Sequence, residues 1–284
     1  MAPHMVPASF PMSTTDSPAS SQPGDARSVA GTAAFSKFIA VLQLIADAGT
    51  PPNIAKLVAA SGYPRPTVHR IVAALQAEGL VAAVGGGGGN TFALGPRLVN
   101  LASRSWERSD LRIAAVDALM ELRNTTSETV HLAVPSDGAM VYIEKLESPH
   151  AVRMASRIGT RVALTSSSVG KAWLATLTPA EREPLLAQAP RVRFTEHTMT
   201  DLGAIRDEIE LTAQRGYAED REENEQSIWC YGAAILGADG RAVGCVSVSM
   251  PMFRRQEDAQ RSYIEPLLAA CRTIAARLGP VCVR

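Results

Sequence analysis

Four residues whose types suit hydrogen-bonded recognition crowd into one short stretch, SGYPRPTVHRIVAALQAEGLV, which runs from Ser61 to Val81. They are Arg65, Thr67, His69 and Arg70. Between and beyond them, Val68, Ile71, Val72 and Leu75 fall at the i, i+3, i+4, i+7 positions of an amphipathic helix. Such a helix buries the ladder and turns Arg65, Thr67, His69, Arg70 and Gln76 the other way. No acidic residue interrupts that face before Glu78. Donors in the first turns of a helix suit the major groove of DNA, where base edges present acceptors and Arg is the commonest specific reader. The leading end of a recognition helix enters the groove, and its free N–H groups and dipole favour phosphate. The competing reading is a solvated face on a protein-interaction module.

A second stretch, SSSVGKAWLATL, contains Ser168-Val169-Gly170-Lys171. This matches S-x-x-K, the acylation motif of serine acyl-enzymes, but the partner motifs S-D-N and K-T-G are absent. Nor is Gly170-Lys171 a phosphate loop, since Ala172 replaces the required Ser or Thr. His131, His150 and His197 would make a metal sensor only if the fold brought them together. The four cysteines, Cys230, Cys245, Cys271 and Cys282, lack C-x-x-C spacing. Reduced thiols in a cytoplasmic protein are therefore expected, with no cofactor and no structural metal.

The elements that must position these residues follow from periodicity. AAFSKFIAVLQLIADAG places Phe35, Phe38, Ile39, Leu42 and Ile45 on one face of a first helix. TPPNIAKLVAASG reads as a second, with Thr50 as N-cap, the prolines in its first turn and Gly62 at its stop. The Arg65 stretch supplies the third. GLVAAV and NTFAL are short strands around a five-glycine tip. Three helices and a two-stranded ribbon predict a winged helix-turn-helix over residues 32–95. A connecting helix follows over 96–109, with Leu98 and Leu101 on one face, and the pattern then changes to α+β over 110–284. There, ETVHLAVPSDGAMVYIEKLES is a hairpin turning at Ser-Asp-Gly, and AVRMASRIG and TRVALT read as strands. Helices follow at about 166–177, 179–188 and 201–215. IWCYGAAILGADGRAVGCVSVSM is a hairpin turning at Asp239-Gly240, and a last helix covers about 256–278.

The chain of 284 residues has 46% hydrophobic content and zero formal net charge. The charge is uneven: residues 32–109 carry +4 and residues 110–284 carry −3. A basic N-terminal third fits a polyanionic partner. Residues 1–31 are rich in Pro, Ser, Ala and Gly without apolar period and are expected to form a disordered tail. No apolar run reaches a membrane span, and the N-terminus lacks the basic and apolar regions of a secretory signal.

GYPRPTVHRIVAALQAEGLV, TFALGPRLVNLA, SSSVGKAWLA and DREENEQSIWCYGAAILGADGRAVGCVSVSMP, in that order, resemble the IclR family of bacterial transcriptional regulators over about residues 32–280. The resemblance implies an α+β chain: a winged helix-turn-helix, a linker helix, and a GAF-like α/β effector-binding domain. It also implies a regulator rather than an enzyme, acting as a homodimer, often paired into a tetramer, on (pseudo)palindromic double-stranded DNA. Pro66 departs from the Ser or Ala common there, and Met250 from a common Gly.

By the same resemblance, the effector site falls on Met154, Val162, Ser168, Val169, Asp220, Ile228, Cys230, Ser247 and Ser249. Strand alternation supports part of this. Cys245, Ser247 and Ser249 share one side of their strand, Ile228 and Cys230 one side of the neighbouring strand. Hydroxyls and a thiol among apolar walls suit a small ligand. The helix opening at Ser168-Val169-Gly170 offers N–H groups for a carboxylate. A small organic acid is the expected effector, with Trp229 and Tyr231 packing on the opposite face.

Overall fold

The structure, a computed structural model, describes residues 32–85, 90–107, 109–152 and 154–278. The expected tail over 1–31, glycines 86–89 of the wing tip, and Cys282 lie outside the described residues. The chain divides into two compact units between Arg104 and Ser105.

The first unit is a winged helix. α1 (Ala33–Asp47), α2 (Ile54–Ser61) and α3 (Arg65–Ala77) pack around Val41, Ile45, Leu57, Val68, Ile71, Val72 and Leu75. The antiparallel ribbon of β1 (Val81–Val84) and β2 (Thr91–Leu94) adds Val81 and Phe92 to this core. Two expectations change. α1 buries Val41 and Ile45 and leaves Phe35 and Ile39 exposed, because its inward face is set by α2 and α3 rather than by its bulkiest side chains. α2 is capped by Asn53, whose side chain accepts from the Lys56 N–H, and not by Thr50. The Pro52 carbonyl is thereby freed to accept from the Phe92 N–H at 2.9 Å, which ties the wing to the helices. Gly62, at φ +67°, ends α2 in the left-handed conformation that favours glycine.

α4 (Pro96–Glu107) follows the wing, and the division between the units falls within it, earlier than the expected boundary at 109. Its start is locked to the end of α3. Gly95 N–H donates to the Leu80 carbonyl at 2.8 Å, and Arg97 Nη1 donates to the Glu78 carbonyl at 2.9 Å and also meets its carboxylate. A Cβ on Gly95 would lie 2.2 Å from the Gly79 carbonyl oxygen, so the approach requires glycine.

The second unit is a six-stranded antiparallel sheet in the order β5-β4-β3-β8-β7-β6. Its strands are β3 (Thr129–Ser136), β4 (Ala139–Leu146), β5 (Arg161–Ala163), β6 (Ala218–Arg221), β7 (Ile228–Leu236) and β8 (Ala242–Pro251). α5 (Asp110–Thr126) and α9 (Glu265–Leu278) cover one face. Val246, Val248, Met250, Tyr231 and Leu132 fill that side, with Trp229 packed against it, as alternation predicts. α6 (Ser168–Leu174) and α8 (Leu202–Arg215) cover the other, where Ala133, Met140, Val162, Val169 and Cys245 are buried. α7 (Pro179–Gln188) starts with a reciprocal Thr178–Glu181 capping box.

Residues 154–157 form no strand, although a strand was expected over 151–159; their backbone is held by side chains described below. The last helix starts later than expected, at a π-helical turn Gln260–Ile264 leading into α9. β7 and α6 meet at Gly232, where an added Cβ would come within 2.6 Å of the Ser168 carbonyl carbon. Gly232→Ala therefore overpacks a backbone-to-backbone contact. A loss of roughly 1–3 kcal/mol is expected in urea denaturation; an unchanged midpoint would mean that the contact is loose.

Candidate functional site

On α3, the ladder Val68, Ile71, Val72 and Leu75 is buried. Arg65, His69, Arg70 and Gln76 are exposed and Thr67 is half-buried on the reverse side. Pro66 lies in the first turn, where its missing N–H has no helical partner to lose. Thr67 and Val68 donate their N–H groups to the Pro64 carbonyl at 2.9 and 3.1 Å. Among the described residues, neither Arg65 nor Arg70 pairs with a carboxylate. Two guanidinium groups and an imidazole are thus presented to solvent from the leading half of a helix whose other side is anchored. That arrangement can donate to base edges and phosphates.

The second cluster lies on the α6 face of the large sheet. Strand pairing draws its residues into two rows. Asp220 pairs Cys230, which pairs Ser249, which pairs Thr129. Gly232 pairs Ser247, which pairs His131, which pairs Lys145. Four of the expected effector residues, Asp220, Cys230, Ser247 and Ser249, are therefore adjacent and buried. Val162 and Val169 sit in the apolar cluster beside them. Ile228, at the start of β7, and Met154, on the segment without strand structure, are half-buried at the edge.

The structure changes the expected open helix end at one of its three N–H groups, that of Gly170. The Gly170 N–H is already taken by the Ser167 side chain at 3.1 Å, and the Lys171 N–H by the Ser167 carbonyl at 3.0 Å. The cause is Ser167, which caps the helix one residue before Ser168. Ser168 itself lies against Gly232. Its small size serves close packing of helix on strand.

The sequence reading singled out Lys171 only within an S-x-x-K match and did not single out its partner Glu223. Lys171 is fully buried, and its Nζ donates to Glu223 Oε1 at 2.6 Å. The other carboxylate oxygen of Glu223 is buried without a hydrogen-bond partner. Asp220 Oδ1 accepts from the Glu223 and Asn224 N–H groups at 2.8 and 3.2 Å. Burial raises the Glu223 carboxyl, with Lys171 opposing. Burial also raises Asp220, to about 7, against the pull of Lys171. Burial and then the Asp220 charge push the Cys230 thiol well up, so it is poorly suited to thiolate chemistry. With Lys171 held as the ammonium partner of Glu223, Ser168 has no free amine to activate it, and the acyl-enzyme reading loses its base.

Tyr142 was also missed, and His131 was read only as a candidate metal ligand. Their rings stack at 4.2 Å. His131 lies 3.3 Å from Ser247 Oγ, 3.5 Å from Ser249 Oγ and 2.8 Å from Ser156 Oγ. The strand alternation of ETVHLAV carried a signal, since it places His131 on one face with Thr129. Glu223 carried none, because its loop is fixed by distant partners, Lys171, Thr195 and Thr198. His131 is not joined by His150 and His197 in a metal site: no group of three or more His, Cys, Asp or Glu suited to a metal occurs among the described residues.

A winged helix followed by a sheet domain with a small polar cluster defines a DNA-binding transcriptional regulator. Models of the IclR helix-turn-helix domain and of the bacterial transcriptional regulator IclR C-terminal domain match residues 35–85 and 104–276, and the chain belongs to the IclR family. It is 32% identical over 213 residues to the HTH-type transcriptional regulator KdgR of Escherichia coli, covering 75% of this chain and 80% of KdgR. It is 29% identical over 260 residues to the HTH-type transcriptional repressor AllR of the same species, covering 91% and 95%. An IclR homologue from Microbacterium hydrocarbonoxydans, solved in complex with 4-hydroxybenzoate, superposes with a TM-score of 0.73 at 25% identity, over 86% of this chain and 98% of that one. No described helix is long and apolar enough to cross a membrane.

The buried groups predict two opposed pH slopes. Asp220, raised by burial to about 7, contributes stability that is present below its unfolded value and lost as pH rises through 7. His131, lowered by burial and by Lys145 to about 3, contributes the reverse: stability is lost as pH falls from its ordinary value toward 3. Between pH 4 and 6.5 the two largely cancel. Asp220→Asn should make the slope of stability against pH more positive in this window, and His131→Asn more negative. The limit is about 1.4 kcal/mol per pH unit for each. Urea titrations across the window measure both, and parallel curves for all three proteins would contradict the assignment.

Proposed function

We propose that this protein is a cytoplasmic repressor that binds a (pseudo)palindromic double-stranded DNA operator as a homodimer able to pair into a dimer of dimers, and whose operator affinity is set by a small organic acid. Arg65, Thr67, His69 and Arg70 are the reading face. The observation that carries this is the exposed, carboxylate-free basic face of α3 standing on a fully buried ladder. A base-reading Arg costs roughly 1–3 kcal/mol on removal and relaxes one position, whereas a phosphate-binding Arg weakens all sequences alike. Arg65→Ala and Arg70→Ala, each measured against the DNA upstream of the gene and against random DNA, should each fall into one class. Full retention of binding by both would remove α3 from the interface.

The effector reading rests on Asp220, Cys230, Ser247 and Ser249 lying side by side, with Val162 and Val169 in the apolar cluster of the same face and Ser168 against Gly232; in this reading Ile228 and Met154 complete the wall. The relative solved with 4-hydroxybenzoate supports an acid as the ligand class. A ligand favouring one domain arrangement by about 1–3 kcal/mol would change DNA affinity about 5–150-fold. A panel of organic acids, screened by thermal stabilisation, should give a hit that also shifts operator binding. Ser249→Val should lose that hit while still binding DNA; a full shift in the variant would move the ligand elsewhere.

For the dimer, Phe35, Ile39, Val99 and Leu101 are large apolar side chains left exposed on α1 and α4, and Leu98 is half-buried. Phe38 packs partly within the winged helix and leaves less of its surface for a seam. Leu101→Glu should weaken self-association in sedimentation and lower operator affinity together. If association is unchanged, the seam lies on another face.

A further inference from the structure

His131 stands at the centre of the serine cluster with both ring nitrogens engaged. Nδ1 faces Ser247 Oγ at 3.3 Å and Ser249 Oγ at 3.5 Å, and Nε2 faces Ser156 Oγ at 2.8 Å. The ring is 1% exposed and stacked on Tyr142. Burial first, and then Lys145, holds it neutral, with its pKa lowered to about 3. A neutral imidazole donates from one nitrogen and accepts at the other, so the hydroxyls around it cannot all be alike.

The position of Lys145 decides between the two tautomers. Its ammonium donates to the Ser156 carbonyl at 2.7 Å and to the Met154 carbonyl at 2.9 Å. It therefore lies on the Ser156 side of the ring, the Nε2 side. A nearby cation favours a lone pair facing it and disfavours an N–H dipole pointing toward it. The proton belongs on Nδ1, and the Ser156 hydroxyl donates to Nε2.

We propose that His131 is a specificity-determining residue: its Nδ1–H donates to Ser247 and Ser249, which turns both hydroxyl protons toward the ligand, so that the site accepts a carboxylate in preference to a neutral amide. This rests on the effector reading above. Ser247 and Ser249 receive a donor from behind and offer donors in front. Cys230 pairs Ser249 on the neighbouring strand, and sulfur is a weak acceptor, so the thiol competes poorly with a carboxylate oxygen for the Ser249 proton. In the opposite tautomer Nδ1 would accept the serine protons, and the site would present lone pairs that repel an anion. The same ring holds Ser156, and with it the segment bearing Met154, so ligand polarity and the placement of the Met154 wall are fixed together.

Two measurements test this on the full chain. Two-bond proton–nitrogen spectra of histidine-labelled protein, with His131 assigned by its loss in a variant, read the tautomer directly. The expected result is a neutral ring with its proton on Nδ1; a proton on Nε2, or an imidazolium at neutral pH, overturns the proposal. The second measurement compares 4-hydroxybenzoate with 4-hydroxybenzamide on wild type, His131→Asn and His131→Gln. An Asn amide reproduces the Nδ1 donor, and a Gln amide reproduces the Nε2 position. Wild type and His131→Asn should prefer the acid, and His131→Gln should lose that preference by about tenfold. Equal loss of both ligands in His131→Gln would reduce His131 to a packing residue and overturn the proposal. If neither probe binds wild type, it is the effector reading for this ligand class that fails, and the spectra alone decide the polarity of the serines.

Discussion

The ion pair between Lys171 and Glu223 is the constraint on which the second unit turns. Two charges removed from water are costly unless their geometry is good and the remaining polar atoms are satisfied. Here the ammonium sits inside α6 and its partner on the loop between β6 and β7. The loop must therefore close down on the helix. It does so through Glu222 and Ser227, both at positive φ, and through Thr195 and Thr198, which donate to the Glu222 and Glu223 carbonyls at 2.6 Å each. Asp220, set beside Cys230 by strand pairing, anchors the closed loop by accepting from the Glu223 and Asn224 N–H groups. The neighbouring close approach of Ser168 to Gly232 then sets the depth of α6 against the sheet.

The large sheet divides its labour by alternation. One face is continuous hydrocarbon under α5 and α9, and each fully buried Leu or Ile there contributes roughly 1.5–3 kcal/mol. The other face carries Thr129, His131, Ser247, Ser249, Cys230 and Asp220 in adjacent rows. A polar surface of that kind has low intrinsic stability when buried. It persists because the apolar face opposite supplies the folding energy, and because most of its polar atoms find partners.

Much of this was legible in the sequence, for definable reasons. The α3 ladder has a strong helical period and a polar reverse, so both its structure and its exposed donors follow from Val68 to Leu75. The two long hairpins follow from Asp137-Gly138 and Asp239-Gly240. What failed depended on distant partners. Phe35, Ile39 and Ile45 all satisfy the period of α1, but the packing of α2 and α3 kept Ile45, added Val41 and left the other two exposed. The segment from 154 to 157 has strand-like composition, yet Lys145 and His131 take its carbonyls and hydroxyl and leave no ladder to form. Ser168 looked like a helix end open to an anion because Ser167, beside it, has the same chemistry and is the residue that caps. His131 and Lys171 are single polar residues in apolar runs, and only the pairing of strands and loops shows that they face each other's neighbourhood.

The clamp at the end of α3 bears on how such a protein can change its target. Gly95 against Gly79, and Arg97 on Glu78, fix the far end of the helix, while Val68, Ile71, Val72 and Leu75 fix its inner side. The side chains proposed to read DNA thus stand on a mount whose position owes nothing to them. Arg65, His69, Arg70 and Gln76 are exposed, and exchanging one changes little else in the unit. Divergence of the recognised sequence is then nearly uncoupled from divergence of stability: one chain can drift to a new binding site through single substitutions, none of which must first be compensated in the core.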